Sequence, residues 1–536
     1  MSTLHLWRRL SVRKRVDDIL AAQAQAPGPS LRRSLTGLDI TLLGIGAIIG
    51  AGIFTTIGTA AAGDALRPGA GPSLMLSFVI TALACGFTAL CYAELAAMVP
   101  IAGSAYTYTY AAMGELVAWI IGWDLMLEYA ISNVAVAISW ANYFRVFLAG
   151  LGVHVPLWLA IDYRSARHVP GLLEAAPHLF GVPIVFNLLA FSVVAALTVL
   201  LVYGVKESAR FNAVMVIIKV FVLLFFVGAA LAAVSPDTLR ANWQPFFPNG
   251  WHGTLAGAAI VFFAYIGFDT VSTVAEETEC PERTLPLGIL SSLAVCTLLY
   301  VLVAAVFTGV VPQARMSDLA SHNQPLTFAL QEIAADRPWM TTLVALGAVV
   351  AQMVTLLVYQ LGQPRIFLAM ARDGLLPPIF SRIHPRYRTP HVTTVATGMA
   401  VAIVATFASI DELIDLTNIG TLFAFTLVCL GIPILRHLDP ARPRPFRVPG
   451  GAYLLPLLGA AACLGLMRFL PSTSWWRFLG WLGLGSAVYL AYGLHHSVLG
   501  QRLGPPLPRG RCLALTLALA LAGGGIWLIL TRVHGH

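Results

Sequence analysis

The chain has 536 residues, of which 58% are hydrophobic and 11% charged, and its mean hydropathy is +0.79. An average soluble domain carries about 25% charged residues, so an ordinary soluble protein is excluded. A net charge of +8 would suit a nucleic-acid binder, but the basic residues are scattered over many short loops, where membrane topology accounts for them. No nucleic-acid partner is called for.

The first 37 residues are polar and Arg-rich (RRLSVRKR, then Arg32 and Arg33), and they lack the short apolar region and small-residue cleavage site of a signal peptide. They are expected to stay in the cytoplasm. A bilayer core about 30 Å thick takes around 20 helical residues. By that rule spans are predicted at 38–62, 73–98, 114–149, 183–205 and 209–234, then at 254–275, 286–312, 340–370, 391–409 and 413–436. Three more follow at 452–470, 476–497 and 512–531, making thirteen, uncertain by one or two. The third and eighth runs exceed an untilted span and are read as long tilted helices. Threaded from a cytoplasmic amino terminus, most Lys and Arg fall on the cytoplasmic side, chiefly in that terminus and in the 363–390 and 436–450 loops. The expected fold is an all-α membrane protein, in the plasma membrane.

Spans one and six each open a set of five, and each carries glycine inside an apolar stretch: GIGAIIGAGIF at 44–54 and FFAYIGFDTVS at 262–272. Corresponding interruptions are the best sequence pointer to a transporter site. A helix unwound at the bilayer midplane frees backbone groups that lipid cannot satisfy, whereas a polar substrate can. Amide hydrogens beyond such a break suit a carboxylate, and freed carbonyls suit an ammonium. The competing reading is that Gly46 and Gly50 form a GxxxG contact between intact helices.

Only three lysines exist (Lys14, Lys206 and Lys219), and Lys219 lies about ten residues into span five, roughly 15 Å deep. A desolvated lysine can exchange a proton near neutral pH, which an arginine cannot do. The alternative role is a permanently charged tie between helices. Carboxylates also fall inside spans, among them Glu94, Glu128 and Asp269. Glu128, near the midplane, and Asp269, just past Gly267, are the functional candidates. Glu94 and Asp124 read as helix-end or packing charges, His495 and His496 as interfacial, and EETECPERTLP as a solvated loop ending at a helix-starting proline. There is no GxxxxGK[ST] loop, no nucleophile and base pair, and no metal-ligand spacing among the seven cysteines. An ATP-driven pump, an enzyme, a metal site and a cofactor are therefore not indicated.

Together the motifs resemble the amino acid, polyamine and organocation (APC) transporter superfamily, and within it the cationic amino acid transporter family in its bacterial form. The carrying residues run in order from about 31 to 497: LTGLDITLLGIGAIIGAGIF, CYAELAAMVPIAGSAYTYTYAAMGEL, GWDLMLEYA, ARFNAVMVIIKV, FFAYIGFDTVSTVAEE, GQPRIFLAMARDGLLP and LTNIGTLFAF. The resemblance implies a five-plus-five inverted repeat of the sodium/leucine transporter type, with halves at 38–234 and 254–436 and accessory helices at 437–536. It also implies that Gly50, Ala51 and Gly52 lie near the substrate carboxylate, with the Ile48 carbonyl near its ammonium. Phe263, Ala264 and Ile266 complete the site, Phe263 as a lid, and Tyr359 lines its side-chain end. Ala51 departs from a hydroxyl residue found in close relatives, which removes one hydrogen bond to the carboxylate.

The same resemblance sets Lys219 beside helices one and eight, where sodium-coupled relatives of the fold hold their ion, and so favours a proton as driving ion. Tyr106 belongs to a cytoplasmic-side gate. The expected function is proton-coupled import of L-amino acids by alternating access. No acid waits for a cationic side chain, so small neutral substrates such as alanine are expected first. An exchanger, a uniporter, a cationic substrate, and a channel or receptor are the alternatives, and a small accessory membrane subunit is left open.

Overall fold

The computed structural model describes residues 10–24, 34–101, 104–167, 169–204, 209–316 and 324–502. Within them the chain is an all-α membrane protein, with eight helical spans that are long and apolar enough to cross a bilayer. Two shorter apolar helices, Leu188–Tyr203 and His391–Phe407, lie among them. The expected span at 512–531 lies outside the described residues.

Both long runs fold as single helices, Glu115–Gly150 and Pro338–Arg372, as their continuous apolar pattern predicts. They pack side by side through the centre of the bundle, with Gly362 against Tyr129 and Gly122 against Met370. The expected span 183–205 starts later. A hairpin of His178–Leu179 and Val182–Pro183 comes first, and Asn187 then caps the helix by accepting from the Ala190 amide at 3.0 Å. The seventh span begins earlier than expected, at Pro281, which takes the first helical position, and Pro286 falls inside.

The two expected spans at 452–470 and 476–497 are shorter helices, Leu454–Met467 and Ser472–Val488, the latter continuing to His496. They meet at 115° across a break ending at Pro471, whose ring favours an extended residue before it. A 14-residue helix rises only about 21 Å, less than the hydrocarbon core.

Spans one and six, Gly37–Ala62 and Gly250–Glu277, sit at the heart of the bundle, mostly buried. They run antiparallel. The start of one is tied to the end of the other where the Ser34 and Leu35 amides donate to the Glu277 carbonyl at 2.9 and 3.0 Å and Glu279 N donates back to Leu35 O at 2.9 Å. Gly46 packs on Asn212 and Val216, but Gly46 and Gly50 do not form a contact between two intact helices, because the first span is broken between Ile48 and Gly52.

The cytoplasmic expectation for Glu94 as a packing charge matches its surroundings. Its carboxylate, 2% exposed, accepts from Arg436 at 2.5 and 2.9 Å and from the Val448 amide at 2.7 Å, with Arg444 at 3.4 Å. Removing one partner of a buried ion pair typically costs about 3 kcal/mol because the others stay uncompensated. Glu94→Ala is therefore expected to destabilise the purified protein by about that amount, read as a lowered melting temperature in detergent, without altering substrate preference.

Candidate functional site

The first broken span begins with a capping box, Thr36 and Asp39 bonding each other's amides at 3.4 and 3.0 Å, and runs as an α-helix to Ile48. Ile49 turns extended (ψ 94°), and the chain re-enters helix at Gly52–Thr56 as a wide π-turn before Ile57–Ala62. Side chains hold that turn: Thr55 bonds Ser139 at 2.5 Å, and Tyr143 donates to the Phe54 carbonyl at 2.5 Å.

The last four carbonyls of a helix lack intrahelical donors. Here other elements supply them. Lys219 Nζ donates to Gly46 O at 2.6 Å, to Ile49 O at 2.9 Å and to Thr355 Oγ1 at 3.2 Å. Tyr300 donates to Ile48 O at 3.0 Å. Lys219 is wholly buried, so its ammonium spends three donors on two carbonyls at the break and on the Pro338–Arg372 helix. The Ile48 carbonyl, expected to face a substrate ammonium, already holds Tyr300 and has one lone pair left.

The second broken span is helical to Val261, tightens to 3₁₀ at Phe262–Tyr265, extends at Ile266 and turns at Gly267 with φ +125°. Beyond it, residues 268–277 form successive 3₁₀ turns rather than the expected second half-helix. Hydroxyls explain this locally: Thr270, Ser272 and Thr273 each donate to the carbonyl three residues back, at 2.5, 2.6 and 2.7 Å.

The two breaks face each other. A Cβ on Gly52 would overlap the Ala264 backbone, and one on Gly267 would lie 2.8 Å from the Ala47 carbonyl. Gly50 packs on Thr355. Ile48, Gly50, Ala51, Gly52, Phe263, Ala264 and Ile266 are thus brought together, all buried. Tyr359 joins them by donating to Ile266 O at 3.4 Å, and its ring stacks edge-on against Tyr129 at 5.6 Å. First-turn amides after Ile49 have no carbonyl within their own helix, so this junction offers donors on one side and carbonyls on the other.

A carboxylate cluster lies beside the junction. Glu128 lies within Coulombic reach of Asp269 and Asp124, and Tyr359 within that of Asp269 and Glu128. Glu128 Oε2, Asp269 Oδ1 and both Asp124 oxygens are enclosed and have no hydrogen-bond partner among the described residues. Buried carboxylates in that condition are satisfied by a proton, water or a cation. Asp124 is therefore not a helix-end charge: it is 0% exposed and sits one turn before Glu128 on the same helix face.

Tyr106 lies away from the junction, at the end of the bundle that carries the amino-terminal segment. Its hydroxyl donates to Asp373 Oδ2 at 2.9 Å, and Lys14 reaches Asp373 Oδ1 at 2.8 Å. The segment is seated by Glu115 N donating to Val12 O at 2.9 Å, by Arg442 on Asp17 at 2.7 Å, and by burial of Val16 and Ile19. Beneath Tyr106 the remaining space is about 20 Å³. No local pattern marks Lys14 and Asp373 as partners, although Lys14 is one of only three lysines. Because this ion pair is part-exposed, Asp373→Asn is expected to cost about 1 kcal/mol locally. Hydrogen exchange over residues 10–24 should rise about fivefold while the broken spans stay protected.

The sequence model of the amino acid permease family matches residues 35–488. The chain belongs to this family. It is 45% identical to the branched-chain amino acid permease BcaP of Bacillus subtilis (strain 168), over 91% of this chain and 98% of that protein. It is 41% identical to the methylthioribose transporter of the same organism, over 91% and 99%. The vacuolar cationic amino acid transporter 2 of Arabidopsis thaliana is 40% identical over 81% of this chain and 65% of its own length. The permease is thus an APC superfamily membrane transporter, and transport rather than an enzymatic reaction is the activity of its named relatives.

Proposed function

We propose that this permease imports neutral L-amino acids by proton-coupled symport, through alternating access of two inverted five-helix halves at 38–234 and 254–436, with 437–536 accessory. The observation that carries the reading is the meeting of the two broken spans, with Lys219 bonded to carbonyls of the first. The substrate carboxylate binds the amides of Gly50, Ala51 and Gly52. Its ammonium binds the remaining lone pair of the Ile48 carbonyl and the carbonyls at Phe263, Ala264 and Ile266. Phe263 closes over the substrate, and Tyr359 bounds its side chain. Lys219 occupies the ion position and hands its proton on during the cycle, while Glu128 and Asp269, joined by Asp124, are the other proton-bearing groups. Tyr106, held by Asp373 and Lys14, closes the cytoplasmic face of a plasma-membrane protein whose amino terminus is inside.

The name of the branched-chain relative widens the neutral panel from alanine to leucine, isoleucine and valine. That of the methylthioribose relative adds an uncharged substrate to exclude. Labelled alanine, leucine, arginine and methylthioribose, offered to proteoliposomes with an inward proton gradient, test the reading. Uptake of the neutral amino acids that collapses with a proton ionophore supports it. Preference for arginine or methylthioribose, or uptake indifferent to the ionophore, refutes it.

A further inference from the structure

At the end of the bundle opposite Tyr106, a cavity of about 310 Å³ opens between the end of Glu115–Gly150, the short helix Pro325–Ile333 and the start of Pro338–Arg372. Its polar lining is Arg145, Gln324, Gln331, Thr341 and Thr342. That volume is at the small end of ligand sites, which span about 300–1,000 Å³, and so suits a small metabolite.

Arg145 is the unusual member. Its Nε is enclosed without a hydrogen-bond acceptor, and the guanidinium has no ion pair among the described residues. The acids that adjoin the lining residues in sequence pair with other arginines, Glu332 with Arg315 at 3.0 Å and Asp336 with Arg337 at 3.4 Å. A guanidinium keeps its charge, so this half-buried one, its Nε enclosed and no counterion beside it among the described residues, has unspent capacity for an anion. The cavity adds two favourable elements. The 35-residue helix Pro338–Arg372 begins here with its positive end and free first-turn amides, and the Gln and Thr side chains supply further hydrogen bonds.

The place is connected to the junction of the broken spans. One turn inward from Arg145 on the same helix, Asn142 Nδ2 is buried without a partner, and Ser139 bonds Thr55 in the π-turn that follows Gly52. Six residues of helix separate Arg145 from Ser139, about 9 Å.

We infer that the Arg145 cavity is an outer subsite that binds the carboxylate of an incoming amino acid before it moves to the junction. The inference rests on the amino acid reading above. The guanidinium fork takes the carboxylate through paired charge-assisted hydrogen bonds, while the small, part-apolar cavity accepts a short side chain.

Initial uptake of labelled leucine by intact cells, measured against outside concentration, tests it with the full-length protein. Arg145→Gln should raise the apparent KM about tenfold, the order of one lost charge-assisted contact, with Vmax within about twofold. Arg145→Lys should fall between. A merely structural arginine would instead lower Vmax and leave KM in place, and that result, or unchanged KM, overturns the proposal.

A second arm separates this failure from that of the amino acid reading. The purified protein is heated with sodium propionate or with sodium chloride at equal ionic strength. Selective stabilisation by propionate of wild type but not of Arg145→Gln supports the subsite even if no amino acid is transported. Equal stabilisation of both proteins, stabilisation by chloride alone, or none, overturns it.

Discussion

Lys219→Ala is expected to abolish concentrative uptake while leaving facilitated equilibration measurable. One proton moving down about 100 mV supplies about 2.3 kcal/mol, enough to hold roughly a 50-fold substrate gradient. Without the lysine to couple that proton to the substrate, the internal concentration should level off at the external one. The substitution also removes the donors on Gly46 O and Ile49 O, so slower turnover is expected in addition. Lys219→Arg separates the two roles. Arginine keeps the charge and donors but cannot release a proton, so it should preserve folding and fail to concentrate substrate. If Lys219→Arg accumulates alanine as wild type does, the lysine is a structural tie and the coupling role is wrong.

Gly267→Ala should sharply impair transport. The residue sits at φ +125°, where a side chain costs on the order of 1–3 kcal/mol, and the new Cβ would lie 2.8 Å from the Ala47 carbonyl, 2.9 Å from its carbon and 3.2 Å from Ile48 N. Backbone on both sides cannot give way without moving one broken span off the other. Uptake should fall by roughly two orders of magnitude, on the scale of a misplacement near 1 Å at a binding centre. Gly228→Ala is the control, since a Cβ there meets nothing within 4 Å, and it should transport normally. Comparable loss in both would mean that the junction has no special role.

Much of this fold is legible in the sequence because bilayer thickness imposes length and apolarity directly. The spans at Gly37–Ala62, Gly71–Met98 and Ala209–Ala233 have the expected bounds within two residues, and the long runs stay continuous. Errors arise where hydropathy says nothing about direction. Leu454–Met467 and Ser472–Val488 are apolar enough for spans, yet their 115° bend comes from Pro471 and from packing against neighbours. Likewise the 268–277 segment has a helical length, but its Thr and Ser hydroxyls compete for the backbone and draw it into 3₁₀ turns.

The junction itself was accessible because glycine and intramembrane charge are rare enough to stand out. Its partners were not. Thr355 and Tyr300 are ordinary residues on apolar helices, and only the fold brings them 3.2 Å from Lys219 and 3.0 Å from Ile48 O. Asp124 was readable in principle, as it lies one turn from Glu128, but from sequence it reads only as a helix-end or packing charge; its burial without a partner sets it with Glu128 and Asp269. Lys14 and Asp373 are separated by 359 residues, a pairing that no local pattern encodes.

The most direct test of the central claim is alanine uptake into proteoliposomes with an imposed inward proton gradient and no other ion gradient, with internal alanine followed over time. The account predicts that internal alanine overshoots the external concentration, then decays as the gradient dissipates, and that Lys219→Arg shows no overshoot. Equal overshoot in the Lys219→Arg protein, or wild-type uptake that only equilibrates with the outside under the same gradient, would contradict it.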